Sequence, residues 1–453
     1  MTLQQQVSSL NDNIGNLVLK SEKLTTTIEG KLQEQLIAIN AIDGRLQGHS
    51  TKIISVEDKL AEYETWKNSI ITDKLVILTV GAGKEFAHPV DAANHINNSN
   101  LAGDKVWKIQ IDPGVYEFPH NGIHEMRFVH YKNVQIHGTS TNAGDTIFKY
   151  VGDNHAWLII GDRHSHLDVR NISFKGDNPI TNEFISKIRD RSLRSGMAGA
   201  GYAHGILNRY NSTSHIENCN FNNIWHATHC HDHCFMYLLD VTGTNLYGGV
   251  YAVSQSHIYV RKSSFTGIGG ALTGSSAPWS GATAHHTSSI FCYGVEIRDF
   301  HAGVYSHWGS NFHFHKHYDY ADDGITQTNI KNGLIENCNY GIHVWHHSGG
   351  NVNDTLIKNM EGIAVTVGNT SDIHAHSNVT IDGASNGFYA IHNSSIQAND
   401  SAVKNCRNIA YYSSNKSEIH ANSTRDKVSG NVTNYSPATH AVLGNYTSYV
   451  YQS

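Results

Sequence analysis

The sequence predicts an all-β solenoid, a parallel β-helix, mounted on an N-terminal α-helical coiled coil. Three observations carry this. The first 70 residues bear a narrow apolar stripe at 3,4 spacing. Short Asn-centred motifs recur later at intervals of a little over twenty residues. Only 16% of the chain is charged, and Gly, Asn, Ser, Thr and Tyr are dense after residue 75, as in β-rich chains with many tight turns.

The stripe runs through Val7, Leu10, Ile14, Leu17, Leu24 and Ile28, with Ser21 in one slot. Its phase slips near Leu32 to Leu36, as at a stutter. It resumes at Leu46, Ile53, Val56, Leu60, Tyr63 and Ile70, with His49 and Lys67 in seam slots and no proline. So narrow a stripe suits a coiled-coil seam better than a monomer core. An amphipathic helix folded onto the later domain is the alternative. Val7 to Ile70 would span roughly 95 Å as one helix. Gly44 and Gly48 weaken its middle. The seam does not fix the number of strands.

Beyond it, Ile335-Glu336-Asn337-Cys338-Asn339 repeats Ile216-Glu217-Asn218-Cys219-Asn220. Related forms begin at Val169, Ile297, Ile357 and Val403. Strand-like runs open at Gly341, Gly362, Gly387 and Asn408, spaced 21, 25 and 21 residues apart. One coil of a parallel β-helix has this length. The Ile, Cys, Phe and Met of the motif are expected in one interior column, and Asn or Asp at a left-handed turn. Cys219, Cys338 and Cys406 are then core residues, and all six cysteines are read as reduced.

Lys plus Arg number 33 and Asp plus Glu 39, a net charge of −6, which argues against nucleic acid as a main partner. No signal peptide is apparent, and the longest apolar run, Leu75 to Val80, is too short to insert in a membrane. Synthesis in a cytoplasm is expected.

Thr79 to Phe118 reads TVGAGKEFAHPVDAANHI, a gap, then VWKIQIDPGVYEF, with VQIHG and DTIFKY following. This resembles the opening of pectate-lyase-like right-handed parallel β-helices, in which a short helix (here Val90 to Ile96) caps the solenoid. Bacteriophage tailspikes and tail fibres often begin their solenoids this way. A coiled-coil stalk before the solenoid strengthens the likeness. The GxxDT core of pectin methylesterases is not evident, so no esterase reading follows. The resemblance implies a homotrimer in the virion, joined through its N-terminus to a tail or baseplate protein and facing host polysaccharide or lipopolysaccharide. It divides the chain into a stalk and attachment segment (1–74), an opening segment with its capping helix (75–150) and a receptor-binding body with inserted loops (151–453).

Three stretches break the repeat and are expected as loops: Thr181 to Tyr202, Gly270 to Ser289 and His313 to Gly324. Aromatic side chains beside acidic and imidazole groups point to a saccharide site of Trp279, Trp308, Tyr318, Asp319 and Trp345; the alternative is aromatics filling subunit interfaces. Glycan cleavage would need two carboxylates roughly 5–10 Å apart, one protonated. Asp319, Asp322, Asp323 and Glu296 are the candidates, while Asp299 reads as a turn residue. The chain has 32 histidines. His313, His315 and His317 alternate, as do His229, His231 and His233, so on strands each set would share a face and could ligate a transition metal. Neither spacing is an established zinc motif, so the plainer reading is a histidine face packing between subunits or stacking along the solenoid, with no cofactor. Receptor recognition by a tail fibre is the expected function. A polysaccharide depolymerase and a purely structural fibre are the alternatives.

Overall fold

The computed structural model of the chain describes residues 15, 75–99, 105–119, 125–152, 156–177, 203–268, 280–320, 327–421, 428–431, 433–436, 442–443, 446–447 and 449–451. The segment 1–74, expected as a coiled coil, lies outside them apart from Gly15. The remainder belongs to one unit, Lys74–Ser453.

Among the described residues, parallel strands stack into three long sheets. Sheet A has 14 strands, from Leu75–Val80 to Tyr449–Tyr451. Sheet B has 12, from Gly114–Pro119 to Val428–Ser429, and sheet C has 12, from Met126–Val129 to Thr433–Ser436. The chain visits A, B and C in turn, and each strand pairs with its counterpart one coil on, as in a right-handed parallel β-helix. The stack is continuous across residue 150, where Thr146–Val151 pairs with both neighbouring coils of sheet B. The helix Pro89–Asn98, begun by proline and capped by His88, buries Val90, Ala92, Ala93 and Ile96 against the first strands, as a cap should.

Alternation along each strand fills the interior. In sheet A, Ile136, Val169, Ile216, Leu238, Val260, Cys292 and Phe314 occupy one register position in successive coils, all buried. In sheet B, Phe148 meets Phe174 edge-on at 5.6 Å and Phe174 stacks on Phe221 at 4.7 Å. Each such side chain contributes about 1.5–3 kcal/mol through burial. All six cysteines are free and buried, and burial pushes the Cys219 and Cys338 thiols up to about 12.

The repeat is more regular than the motif spacing implied. Ile342 pairs with Val365, Val365 with Phe388 and Phe388 with Tyr411, so this part advances by 23 residues per coil. The counterpart of Gly341 and Gly387 is Ala364, not Gly362, because small side chains are needed there: a Cβ on Gly341 would lie 2.5 Å from the Ala364 carbonyl oxygen. The two IENCN copies are also not equivalent. Asn218 turns the chain from sheet A to B, whereas Asn337 turns it from B to C. Both corners need one left-handed residue followed by a buried side chain, and the same local sequence satisfies either.

The third corner, C to A, takes two successive left-handed residues and then, in most coils, a buried serine. These serines form a ladder. The backbone N–H of Ser256 donates to Ser288 Oγ at 3.2 Å, and the pattern continues through Ser310, Ser348, Ser371, Ser394 and Ser417. Cys234 occupies the same position one coil earlier, donating its N–H to Ser256.

Two expected loops are placed differently. Of Gly270 to Ser289, residues 280–285 form a strand of sheet C and Ser289 opens one of sheet A. Of His313 to Gly324, residues up to His315 belong to a sheet A strand, and the departure is an antiparallel hairpin pairing His317–Tyr320 with Gln327–Lys331. Glycine and serine in the first, and histidine in the second, suggested loops, but small and amphipathic side chains also satisfy strands stacked between neighbours. Residues 178–202, including the whole of the first expected loop, lie outside the described residues.

Replacing Ser310 with Ala should lower stability by about 1–3 kcal/mol, because the Ser288 N–H loses its buried acceptor. A urea midpoint equal to that of the parent protein would remove the ladder's energetic role.

Candidate functional site

Where the C-to-A corner turns, the first of the two left-handed residues projects outward. In three successive coils these are His286, Trp308 and His346, with φ of 51°, 56° and 53°. Backbone bonds hold the three turns together: the Thr287 N–H donates to the Trp308 carbonyl and the Gly309 N–H to that of His346. Their rings stack in a row. Trp308 lies 4.8 Å from His346 at an interplanar angle of 11°, and 6.1 Å from His286 at 27°. Trp308 is nevertheless 50% exposed.

The sheet C strands behind this row supply its inner edge. His285, His307 and Trp345 share one register position. His285 stacks on His307 at 5.4 Å, and His307 meets His346 edge-on at 4.4 Å. Trp345 lies flat over the next coil, where a Cβ on Gly368 would come within 2.2 Å of its ring. Further across, His229, Tyr251, Thr283, Tyr305, His343, Thr366, Tyr389 and Tyr412 continue the outward face. Burial lowers the pKa of His343 to about 4. Burial and the neighbouring imidazoles lower His285 to about 4 and His307 to about 3. The arrangement is a partly wet platform of flat rings, suited to stacking and to hydrogen bonding with hydroxyl groups.

Trp308 and Trp345 therefore come together as one site. Tyr318 and Asp319 do not join them: they lie on the hairpin at the A-to-B corner, and Trp279 lies outside the described residues. Asp319 accepts from Lys262 at 2.8 Å, Asn329 at 3.1 Å and His317 at 2.9 Å, and the Lys262 and Asn329 bonds hold its pKa far below the carboxylate range. Burial raises Glu296, but Arg298 and Lys331 outweigh it, and its net shift is downward. Both carboxylates are thus ionised partners of cations, and neither retains the proton a general acid requires. Asp322 and Asp323 lie outside the described residues. Asp299 occupies a left-handed corner, as the turn reading expected.

The histidine sets separate. His313 and His315 point from one face of sheet A, 5.7 Å apart, but His317 lies beyond the corner, buried against Asp319. His229 and His231 share a face of sheet C, 6.0 Å apart, whereas His233 has entered the left-handed turn at φ 61°. In each set the strand ends before the third histidine, so alternation stops. Among the described residues, no group of three or more His, Cys, Asp or Glu is arranged to hold a metal ion.

Two other polar features lie away from the platform. On sheet A, buried Asp168 accepts from Arg170 at 2.8 Å, approaches His137 at 3.2 Å and His215 at 3.5 Å, and Arg170 also pairs with Glu217. Along the B-to-C corner, Asp299, Asn337, Asn359, Glu361, Asn405 and Arg407 line a groove of about 560 Å³. Arg407 is committed to the carbonyls of Met360 and Glu361, and Asn405 to Asp382. Both features tie coils together. Only three-dimensional register assembles them, since each draws on coils 20 or more residues apart in sequence.

No protein-family model and no curated protein matches the chain. Among solved structures, it is similar to ORF18 of Geobacillus virus E2, at 12% identity and TM-score 0.37, covering 69% of this chain and 56% of that one. The chain thus spans little more than half the length of that protein. It is also similar to the A-module of mannuronan C-5 epimerase AlgE6 from Azotobacter vinelandii, at 11% identity and TM-score 0.36, covering 80% and 93%. A third is the family 28 exopolygalacturonase of Yersinia enterocolitica, at 10% identity and TM-score 0.46, covering 80% and 73%.

The lowered histidines predict a pH dependence of known sign. Free imidazole titrates near 6.5, whereas His285 and His343 do so at about 4 and His307 at about 3. Between those values the unfolded chain takes up protons that the folded chain does not, so stability falls as pH drops from about 6.5 to 4. His307→Gln should flatten that slope in urea titrations; an unchanged slope would place His307 outside the effect.

Proposed function

We propose that this chain is a bacteriophage tail fibre protein that adsorbs to host surface polysaccharide or lipopolysaccharide. The exposed Trp308, stacked between two histidines beside Trp345, is the observation that carries the reading. A pyranose ring presents a flat C–H face that gains dispersion energy against such a surface, while its rim hydroxyls reach imidazole nitrogens. In this reading three chains associate in the virion, segment 1–74 joins them to the tail or baseplate, and three copies of the platform bind with avidity. No metal or cofactor takes part.

Adsorption is favoured over depolymerisation because the described candidate carboxylates, Asp319 and Glu296, are both consumed in ion pairs. Among the described residues, the platform strands carry no Asp or Glu to form a carboxylate pair.

The test mixes purified protein with surface polysaccharide from a candidate host and sizes the glycan before and after. Intact glycan co-eluting with the protein is expected, as is a loss of at least tenfold in retention for Trp308→Ala and Trp345→Ala. Asp319→Asn should leave retention unchanged. Shortened glycan would convert the reading to a depolymerase. Full retention by both tryptophan variants would move the site elsewhere.

A further inference from the structure

The sheet C face behind the platform has an unusual electrostatic character. Its strands His226–His231, Gly248–Val253, Ser280–His285, Ala302–His307, Tyr340–Trp345, Ile363–Val367, Asn386–Ala390 and Ile409–Ser413 contain no Asp, Glu, Lys or Arg. At about 4.8 Å between strands, this charge-free surface runs roughly 34 Å along the solenoid. The earlier sheet C strands differ: Arg127, Asp162 and Arg209 carry charges there and pair with one another. Sheet B also differs, with Glu296, Arg298, Glu336 and Lys358 linked across coils.

The corner beside the platform is equally neutral. The sheet A residues that follow its three turns are Ser289, Asn311 and Gly349, which share one register position. Along that edge, charge returns at Asp232 in an earlier coil and at Asp372 and Lys416 in later ones.

We infer that the platform takes an uncharged glycan and discriminates against polymers bearing uronate, sialate or phosphate groups. This rests on the adsorption reading above. Among the described residues of these strands and turns, a polyanion brought onto this face would lose hydration without meeting a cation, and desolvating an unpaired charge is costly. A neutral chain loses only hydroxyl hydration, which imidazole and tyrosine groups can replace. The depressed titration of His285, His307 and His343 keeps those rings from becoming cationic partners near neutrality. The face therefore selects by what it lacks.

The experiment applies the full-length protein at pH 8 to an array of neutral, uronate-, sialate- and phosphate-bearing bacterial glycans, at low and high salt. At this pH an ordinary imidazole, with a pKa of about 6.5, is also uncharged. Expected are hits confined to neutral glycans, unchanged by salt and at least tenfold weaker for Trp308→Ala. Thr287→Lys, placing a cation on an exposed turn position beside Trp308, should add salt-sensitive acidic hits. Acidic hits that depend on Trp308 in the parent protein would overturn the charge selection alone. Hits indifferent to Trp308→Ala, or no hits at all, would overturn the adsorption site on which it rests.

Discussion

Each coil pairs its backbone N–H and C=O groups in parallel register with the coils on either side, and the rest of the structure follows from that constraint. Register forces equivalent positions into columns. The inward sheet A column from Ile136 to Phe314 is apolar for its whole length. A corner column must tolerate left-handed backbone at every step, which Asn, Asp, Gly and some histidines do more readily than β-branched residues. An outward column juxtaposes side chains about 4.8 Å apart, a separation at which rings stack and like charges repel.

The C-to-A corner shows how one requirement creates another. The buried serine closes the two-residue turn from beneath by accepting an N–H from the preceding coil. With that position fixed, the residues above it have nowhere to point but outward. Trp308 is exposed for this reason, and its alignment with His286 and His346 is the columnar register again. Scaffold and platform thus share a structural cause, even though their side chains serve different purposes.

The histidine excess also becomes intelligible in these terms. Imidazole can stack like an aromatic ring, donate and accept hydrogen bonds, and stay neutral when partly buried. These properties suit columns where phenylalanine would expose too much apolar surface and lysine would repel its neighbour. His285 over His307, and Phe291 over His313, are examples. Alternation in the sequence leaves metal ligation open; the ends of two strands, not residue chemistry, separate the third histidine of each set from the other two.

The solenoid, the capping helix, the buried cysteines and the left-handed Asn corners were legible in the sequence because each is a local requirement repeated many times. Trp308 and Trp345 were legible as aromatic candidates. Their union, the exclusion of Tyr318 and Asp319, and the serine ladder were not, because a coil of 22 or 23 residues places distant positions side by side while sending near neighbours to different corners. Chain proximity joined Asp319 to Trp308, whereas the sheet A strand Asn311–His315 separates them, leaving Trp308 at the C-to-A corner and Asp319 on the hairpin at the A-to-B corner. The sequence by itself determined what repeats, through hydrophobic alternation and turn chemistry. Only the tertiary structure decided which repeats touch, because contact in a solenoid depends on register between coils rather than separation along the chain.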